Sequence, residues 1–549
     1  MKMLQMRNSR SSTFGFWLLA VGLIASPAIA QQPAGPAVPA APAQAQTTNP
    51  YVVGQAKPPV EAGASLRDLS LEQAVQIALE NNLDLKVARM NPQIQDYSLV
   101  QARAAFRPTL AGNFQNQSSS RVSTNANEGV PSVVTATQTY GSSISQNISK
   151  FGGNYQLNFS TNRTSDNTLN SLRPLQFGGN TQISYQQPLL ANFKIDSNRN
   201  TLRTQQVQRQ IVDITLQQTI ENTKANVRTA YWALRRSIEQ VEIQKRALEL
   251  SQRLLQDNKT KVEIGTMAPI DVVQNESTVA TNEQALLNAR IQWESAELVF
   301  KRLLVKGTDD PLYGQTINPV DQPPALEEVT VDIPKAVKTA LAERTDITTA
   351  RKQMESDAFT LQLRKNQTLP ALNLNATYRL AGTGGDAYNS ANGIRTTLRE
   401  QSGYADVYSS IFQRDQPTWT VSANFSMPLG MQAARAALAS ARISFQQREA
   451  SLKATELTVS TDVTNAGLAV QNSYKQLLAA RKSAEAAQRN AEAEQTRFDN
   501  GMSNNYNVAI ALNDLTSRRL AELNAVIAYV NAIADYEKKQ HVGTGGGGQ

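Results

Sequence analysis

Cysteine is absent from the 549 residues. That removes disulfides, thiol nucleophiles, cysteine metal ligands and lipid attachment through an N-terminal cysteine. Histidine occurs once, as His541 beside the glycine-rich stretch Gly543 to Gly548. A lone imidazole has no histidine partner for a metal site and no serine–acid constellation around it. No glycine-rich phosphate loop is present either, so catalytic residues, cofactor sites and metal sites are all expected to be none, and the chain reads as a non-enzyme. Aromatic residues make up 6%, with 28 Gly and 22 Pro, a composition that suits long helices. The formal charge of +8 is dispersed along the chain, which gives no footprint for nucleic acid.

Long apolar runs are also missing. Apart from a short stretch at the start, no segment approaches the ~20 apolar residues that a membrane-spanning helix needs. Any insertion in a bilayer must therefore use β-strands. The start itself reads as a secretory signal over residues 1–30. Lys2, Arg7 and Arg10 form its basic end, Phe14 to Ile24 its apolar centre, and Ala28-Ile29-Ala30 its cleavage site. Loss of those three cations with no acid lowers the charge from +8 to +5. Residues 31–63 are rich in Pro, Ala and Gln and are expected to be a disordered leader.

What the sequence does contain is a duplication. Leu71-x-x-Ala74-Val75-x-x-Ala78-Leu79 recurs as Ile333-x-x-Ala336-Val337-x-x-Ala340-Leu341, and Pro108 recurs as Pro370 at the same offset. Gly265 is answered by Gly501. Two structural repeats are expected, over 64–305 and 331–538, with a linker at 306–330 and a flexible tail at 539–549. The expected helices are 71–81, 84–106, 198–264 and 269–304, then 333–342, 346–368, 430–499 and 505–538. Ile220, Val227, Leu234, Val241, Leu248, Leu255 and Val262 fall seven apart, as do Val463, Val470, Leu477, Ala484, Ala491 and Phe498. The returning helix keeps the spacing at Val272, Val279, Leu286, Trp293 and Phe300, so outgoing and returning helices can form antiparallel coiled coils. A helix of about 65 residues spans roughly 100 Å, beyond the depth of a compact domain.

Between the helices lie runs of period two. Leu372, Leu374, Ala376, Tyr378 and Leu380 alternate with polar residues, and so do Trp419, Val421, Ala423, Phe425 and Met427. Leu110, Gly112 and Phe114, with Ile183 and Tyr185, repeat the pattern more weakly in the first half. Each run has about the length of a tilted transmembrane strand. Leu372, Leu374, Tyr378, Trp419, Val421 and Phe425 are the expected lipid-facing residues. Four strands cannot close a barrel, which points to a cyclic ring of identical protomers around a polar lumen. The polar stretch 121–175, with Tyr155, Leu157 and Phe159 alternating after Gly152-Gly153, is either an extra hairpin or an extended external loop.

The duplicated opening, the proline before a strand, and the tip Ile264-Gly265-Thr266-Met267-Ala268-Pro269-Ile270-Asp271-Val272 together resemble the TolC-like outer-membrane efflux proteins over about residues 65 to 540. The resemblance implies an α+β membrane protein: a homotrimer whose long antiparallel coiled-coil barrel in the periplasm carries a twelve-stranded transmembrane β-barrel in the cell outer membrane, four strands per protomer. It implies a passive channel-tunnel leading from the periplasm or an inner-membrane pump to the exterior, in tripartite efflux or type I secretion. The implied partners are outer-membrane lipid, a periplasmic adaptor (membrane fusion) protein, and an RND pump or ABC exporter. Adaptor docking and the entrance would centre on Ile264, Gly265, Thr266 and Asp271 at one tip and on Asn500, Gly501, Met502 and Asn507 at the other. Relatives carry aspartates after the second tip, where this chain has Asn507 and Ile510. The competing reading is an exported coiled-coil scaffold or surface adhesin without a pore.

Overall fold

The computed structural model of the chain describes residues 53–59, 65–323 and 327–541. The expected export signal, most of the leader and the end of the tail lie outside them. The first repeat runs β1 (Leu66–Leu69), α1 (Leu71–Asn81), α2 (Leu83–Ala88), α3 (Asn91–Ala104), β2 (Thr109–Val122), β3 (Ser132–Asn147), β4 (Asn154–Asp166), β5 (Leu175–Pro188), α4 (Ser197–Glu263) and α5 (Pro269–Leu304). The second runs β6 (Thr316–Pro319), α6 (Ile333–Glu343), α7 (Thr345–Gln367), β7 (Ala371–Gly384), β8 (Ala387–Ala391), β9 (Ile394–Glu400), α8 (Tyr404–Gln413), β10 (Pro417–Ser426), α9 (Gln432–Asp499) and α10 (Asn505–His541).

The long helices follow the heptads. Val463, Val470, Leu477, Ala484, Ala491 and Phe498 are all buried along α9, and Val227, Leu234 and Val241 along α4. Val470 and Leu477 pack with Val526 and Tyr529 of α10, while Val459 and Val463 pack with Ala336, Ala340 and Ile347. The small residues of the duplicated Ala-Val-x-x-Ala motif thus let α6 lie close against α9. One expected helix is broken. Residues 84–106 form α2 and α3 with a gap at Arg89 and Met90, because Pro92 has no N–H to donate into the preceding turn and its ring clashes there. In the second repeat the equivalent position is Met354, and α7 runs unbroken.

The sheet departs further from expectation. It has six strands, in the order β10-β7-β5-β4-β3-β2, antiparallel throughout, and not four. The stretch 121–175 is not a loop. Most of it is β3 and β4, which add a full hairpin between β2 and β5.

Two ends of the expected disorder are also ordered. Gly54 and Ala56 donate their backbone N–H groups to Glu239 at 2.9 and 3.1 Å. Arg235, one turn earlier on α4, pairs with Glu239 at 2.9 Å and donates to the carbonyls of Ala56 and Pro319. Both side chains are essentially fully buried, so the ion pair clamps the chain around Gly54 and Ala56 and the end of β6 onto the helix. Tyr231 extends the clamp by donating to Asp321 at 3.0 Å, and burial pushes its hydroxyl well above the usual tyrosine range. At the other terminus, residues 539–541 are the last residues of α10, where Lys539 approaches Asp462 at 3.6 Å and the half-exposed His541 approaches Glu343 at 3.1 Å.

Removing one member of a buried pair strands the other charge. Glu239→Ala is expected to cost about 3–5 kcal/mol, seen as a lowered thermal midpoint of the mature protein in detergent. Glu242→Ala, which disrupts an exposed pair with Arg246, is the comparison. Equal shifts in the two variants would contradict the clamp.

Candidate functional site: two helical tips and a two-faced sheet

The tips are built alike. At the end of α4 the N–H of Gly265 reaches the carbonyl of Val262 and that of Thr266 reaches Lys261, both at 2.9 Å. At the end of α9 the N–H of Gly501 reaches Phe498 at 3.0 Å and that of Met502 reaches Arg497 at 2.8 Å. Each is the paired closure of a Schellman motif, which needs a left-handed residue just past the helix. Gly265 and Gly501 supply it, with φ of 78° and 72°. The equivalence of the two glycines, expected from the duplication, therefore has a common backbone cause.

Around these closures the chemistry is modest. Thr266 donates its hydroxyl to Lys261 at 2.9 Å, and Asn500 donates its amide to Thr496 at 2.7 Å. Asp271 sits in the first turn of α5 behind Pro269, where an acid complements the helix dipole. Asn507 is exposed and its N–H bonds to the side chain of Asn504. Ile264, Ile270, Met502 and Tyr506 are large apolar side chains left mostly exposed at the tips.

Behind the tips lies a feature that the sequence reading missed. Asn258 of α4 donates to Asn505 of α10 at 2.7 Å, and Asn505 donates to Asn275 of α5 at 2.8 Å. All three are buried, and they tie the first helical hairpin to the second. The oxygen of Asn258 and the nitrogen of Asn275 have no partner among the described residues. Leu254, Phe498 and Val508 form the apolar layer beside them. The available signal was register for two of the three: Asn258 and Asn275 stand three residues after Leu255 and Val272, at core positions of their helices, while Asn505 opens α10 beyond the Gly501 turn. Buried asparagines in coiled coils set register at a cost in stability.

At the other end, direct strand partners place side chains on common faces. One row crosses all six strands: Trp419, Tyr378, Ile183, Leu157, Ile144 and Leu110. The adjacent row on the opposite face is Thr420, Thr377, Ser184, Gln156, Ser145 and Thr109. Leu372, Leu374, Val421 and Phe425 fall on the apolar face with Trp419 and Tyr378. Trp419 is 74% exposed. Arg379 lies on the polar face and donates to Asn180 at 2.6 Å.

Neither region resembles an active site. Among the described residues no cluster of His, Cys, Asp or Glu could hold a metal, and no helix is long and apolar enough to cross a membrane. A sheet with one mainly polar and one mainly apolar face, carried on helices of 67 and 68 residues, defines an α+β protein.

The chain belongs to the outer membrane efflux protein family, whose profile matches residues 154–304 and 336–535. No curated protein matches its sequence significantly. Among solved structures it is similar in fold to the CmeC outer membrane channel of Campylobacter jejuni, with TM-score 0.63 and 16% identity, over 86% of this chain and 85% of that one. It is similar also to VceC of Vibrio cholerae, with TM-score 0.61 and 14% identity over 86% and 96% of the two chains. The open-state MtrE channel of Neisseria gonorrhoeae matches with TM-score 0.55 and 17% identity over 90% and 96%. The chain is thus an outer-membrane efflux component by family.

Replacing Asn505 with Ala leaves the amides of Asn258 and Asn275 without it, at about 1–3 kcal/mol for each buried group left unsatisfied. Faster amide hydrogen exchange is expected in the last turns of α4 and α9, with α6 and α7 unaffected. Unchanged exchange at the tips would show that the asparagine ladder does not hold the hairpins together.

Proposed function

We propose that three copies of the chain assemble into a channel-tunnel that passively conducts substrates from the periplasm, or directly from an inner-membrane pump, to the exterior. The observation that carries this reading is the apolar row across the sheet, backed by a polar row on the other face. Such a wall suits lipid on one side and water on the other. Within one chain the outer edges of β2 and β10 have no strand partner among the described residues, and open edges do not persist in hydrocarbon. β2 leaves the helical end and β10 returns to it, so β10 of one copy meets β2 of the next antiparallel. Repetition of that contact around a cyclic axis closes a barrel.

Leu372, Leu374, Tyr378, Trp419, Val421 and Phe425 then face lipid. The helical hairpins of α4–α5 and α9–α10 form the tunnel, and their tips form its entrance. Exposed apolar residues at two geometrically equivalent turns suit the grip of a periplasmic adaptor, with an RND pump or an ABC exporter supplying the energy. Both drug-type efflux and type I secretion use such a conduit, and the choice of cargo falls to the pump and adaptor.

Because native cysteine is absent, single cysteines from Leu372 to Leu380 can be introduced cleanly. Reactivity is expected to alternate between lipid-phase and aqueous reagents along the strand, and uniform aqueous access would contradict a membrane wall. Disulfide cross-linking of cysteines placed at Thr266 and Met502 is expected to stop export. Undiminished flux through the cross-linked protein would move the entrance elsewhere.

A further inference from the structure

We infer that the β3–β4 hairpin is part of the membrane wall itself, so that the barrel, given the trimeric reading above on which this rests, has six strands from each of three chains and is eighteen-stranded. Three observations carry this. The first is register: Leu157 and Ile144 stand in the same row as Trp419 and Tyr378, and Phe159 lies on that face. Ser145 and Gln156 stand in the polar row. A hairpin projecting into solvent has no need to continue the two faces of the strands beside it.

The second is height. The inner turn of the hairpin, residues 148–153, does not stop partway up the sheet. Gln146 and Asn147 donate their amides to the carbonyls of Phe106 and Ala105 at 2.8 and 3.0 Å, at the end of α3. Phe151 stacks on Phe193 with ring centroids 5.2 Å apart, and its carbonyl accepts from Gln187 at 2.8 Å. Gly152 has a φ of 71°, and a Cβ there would come within 2.7 Å of the Asn192 carbonyl. The turn is therefore seated at the junction where the other strands meet the helices. The third is length: β3 and β4 have 16 and 13 residues, more than the roughly 10 that a tilted strand needs to cross a bilayer.

The consequence is a wide mouth. Barrel diameter grows about linearly with strand number, so eighteen strands give about 1.5 times the diameter of twelve. The long helices remain four per chain, α4, α5, α9 and α10, whatever stands above them. The barrel is then broader than the tunnel below it, and selection by size rests with the helices. On its lumen side the added hairpin presents mainly hydroxyl and amide groups, among them Ser143, Ser145, Gln156 and Asn158, with the carboxylate of Asp166 at its outer end.

The test is site-specific quenching in reconstituted bilayers. Leu157→Cys, Ile144→Cys, Gln156→Cys and, as the reference, Tyr378→Cys are each labelled with bimane and exposed to nitroxide lipids or aqueous iodide. The inference expects Leu157→Cys and Ile144→Cys to match Tyr378→Cys, with lipid quenching dominant, and Gln156→Cys to show the reverse. If both faces of the hairpin respond to iodide while Tyr378→Cys responds to lipid, the hairpin stands outside the wall. The eighteen-stranded barrel then falls and the channel survives. If Tyr378→Cys responds to iodide as well, the membrane wall and the inference fall together.

Discussion

Unpaired backbone groups cannot be left in hydrocarbon, and this constraint decides how the rest of the molecule can be used. A six-stranded sheet whose two edges have no strand partner among the described residues is incomplete as a membrane element however well its faces are patterned. In the proposed assembly neighbouring copies satisfy the edges of β2 and β10, the polar faces converge on an axis and the apolar faces turn outward. The proposed conduit rests on hydrogen-bond satisfaction together with period-two alternation.

The helices answer a different problem, that of holding a long, thin wall upright. Buried heptad positions supply the adhesion along α9 and α10, while polar groups supply registration at two heights. Arg235 and Glu239 clamp the chain around residues 54–56 and β6 against α4. Far along the same helix, Asn258, Asn505 and Asn275 join the two hairpins behind the tips. A purely apolar seam could slide by one heptad with little penalty. Buried hydrogen-bonded groups cannot slide without losing partners. Placing such groups at the clamp and near the tips fixes the register of the helices at both heights.

Much of this was legible in the sequence, for reasons that can be located. The heptads of α4 and α9, together with Gly265 and Gly501, put nearly every long-helix boundary within two residues of its observed place, because burial and a left-handed turn leave few alternatives. The pair β7 and β10 was equally plain, since Leu372 to Leu380 and Trp419 to Met427 alternate cleanly. The added hairpin was legible only as an alternative to an external loop, through Tyr155, Leu157 and Phe159 of β4. β3 carries Gln138, Ser142 and Gln146 on its apolar-face positions beside Tyr140 and Ile144, so its alternation is diluted. Only the pairing of its neighbours reveals the face. The buried clamp was hidden for the opposite reason: Arg235 and Glu239 at i and i+4 look like an ordinary solvated helix pair until the chain around Gly54 covers them. The break before α3 follows from Pro92, which the second repeat replaces with Met354.

Electron microscopy of the mature protein extracted in detergent tests the central claim most directly, since oligomer number, length and lumen appear in one image. The account predicts a hollow rod with threefold symmetry and a detergent belt at one end. A solid rod, or a single chain with no belt, would contradict it and favour an exported coiled-coil scaffold.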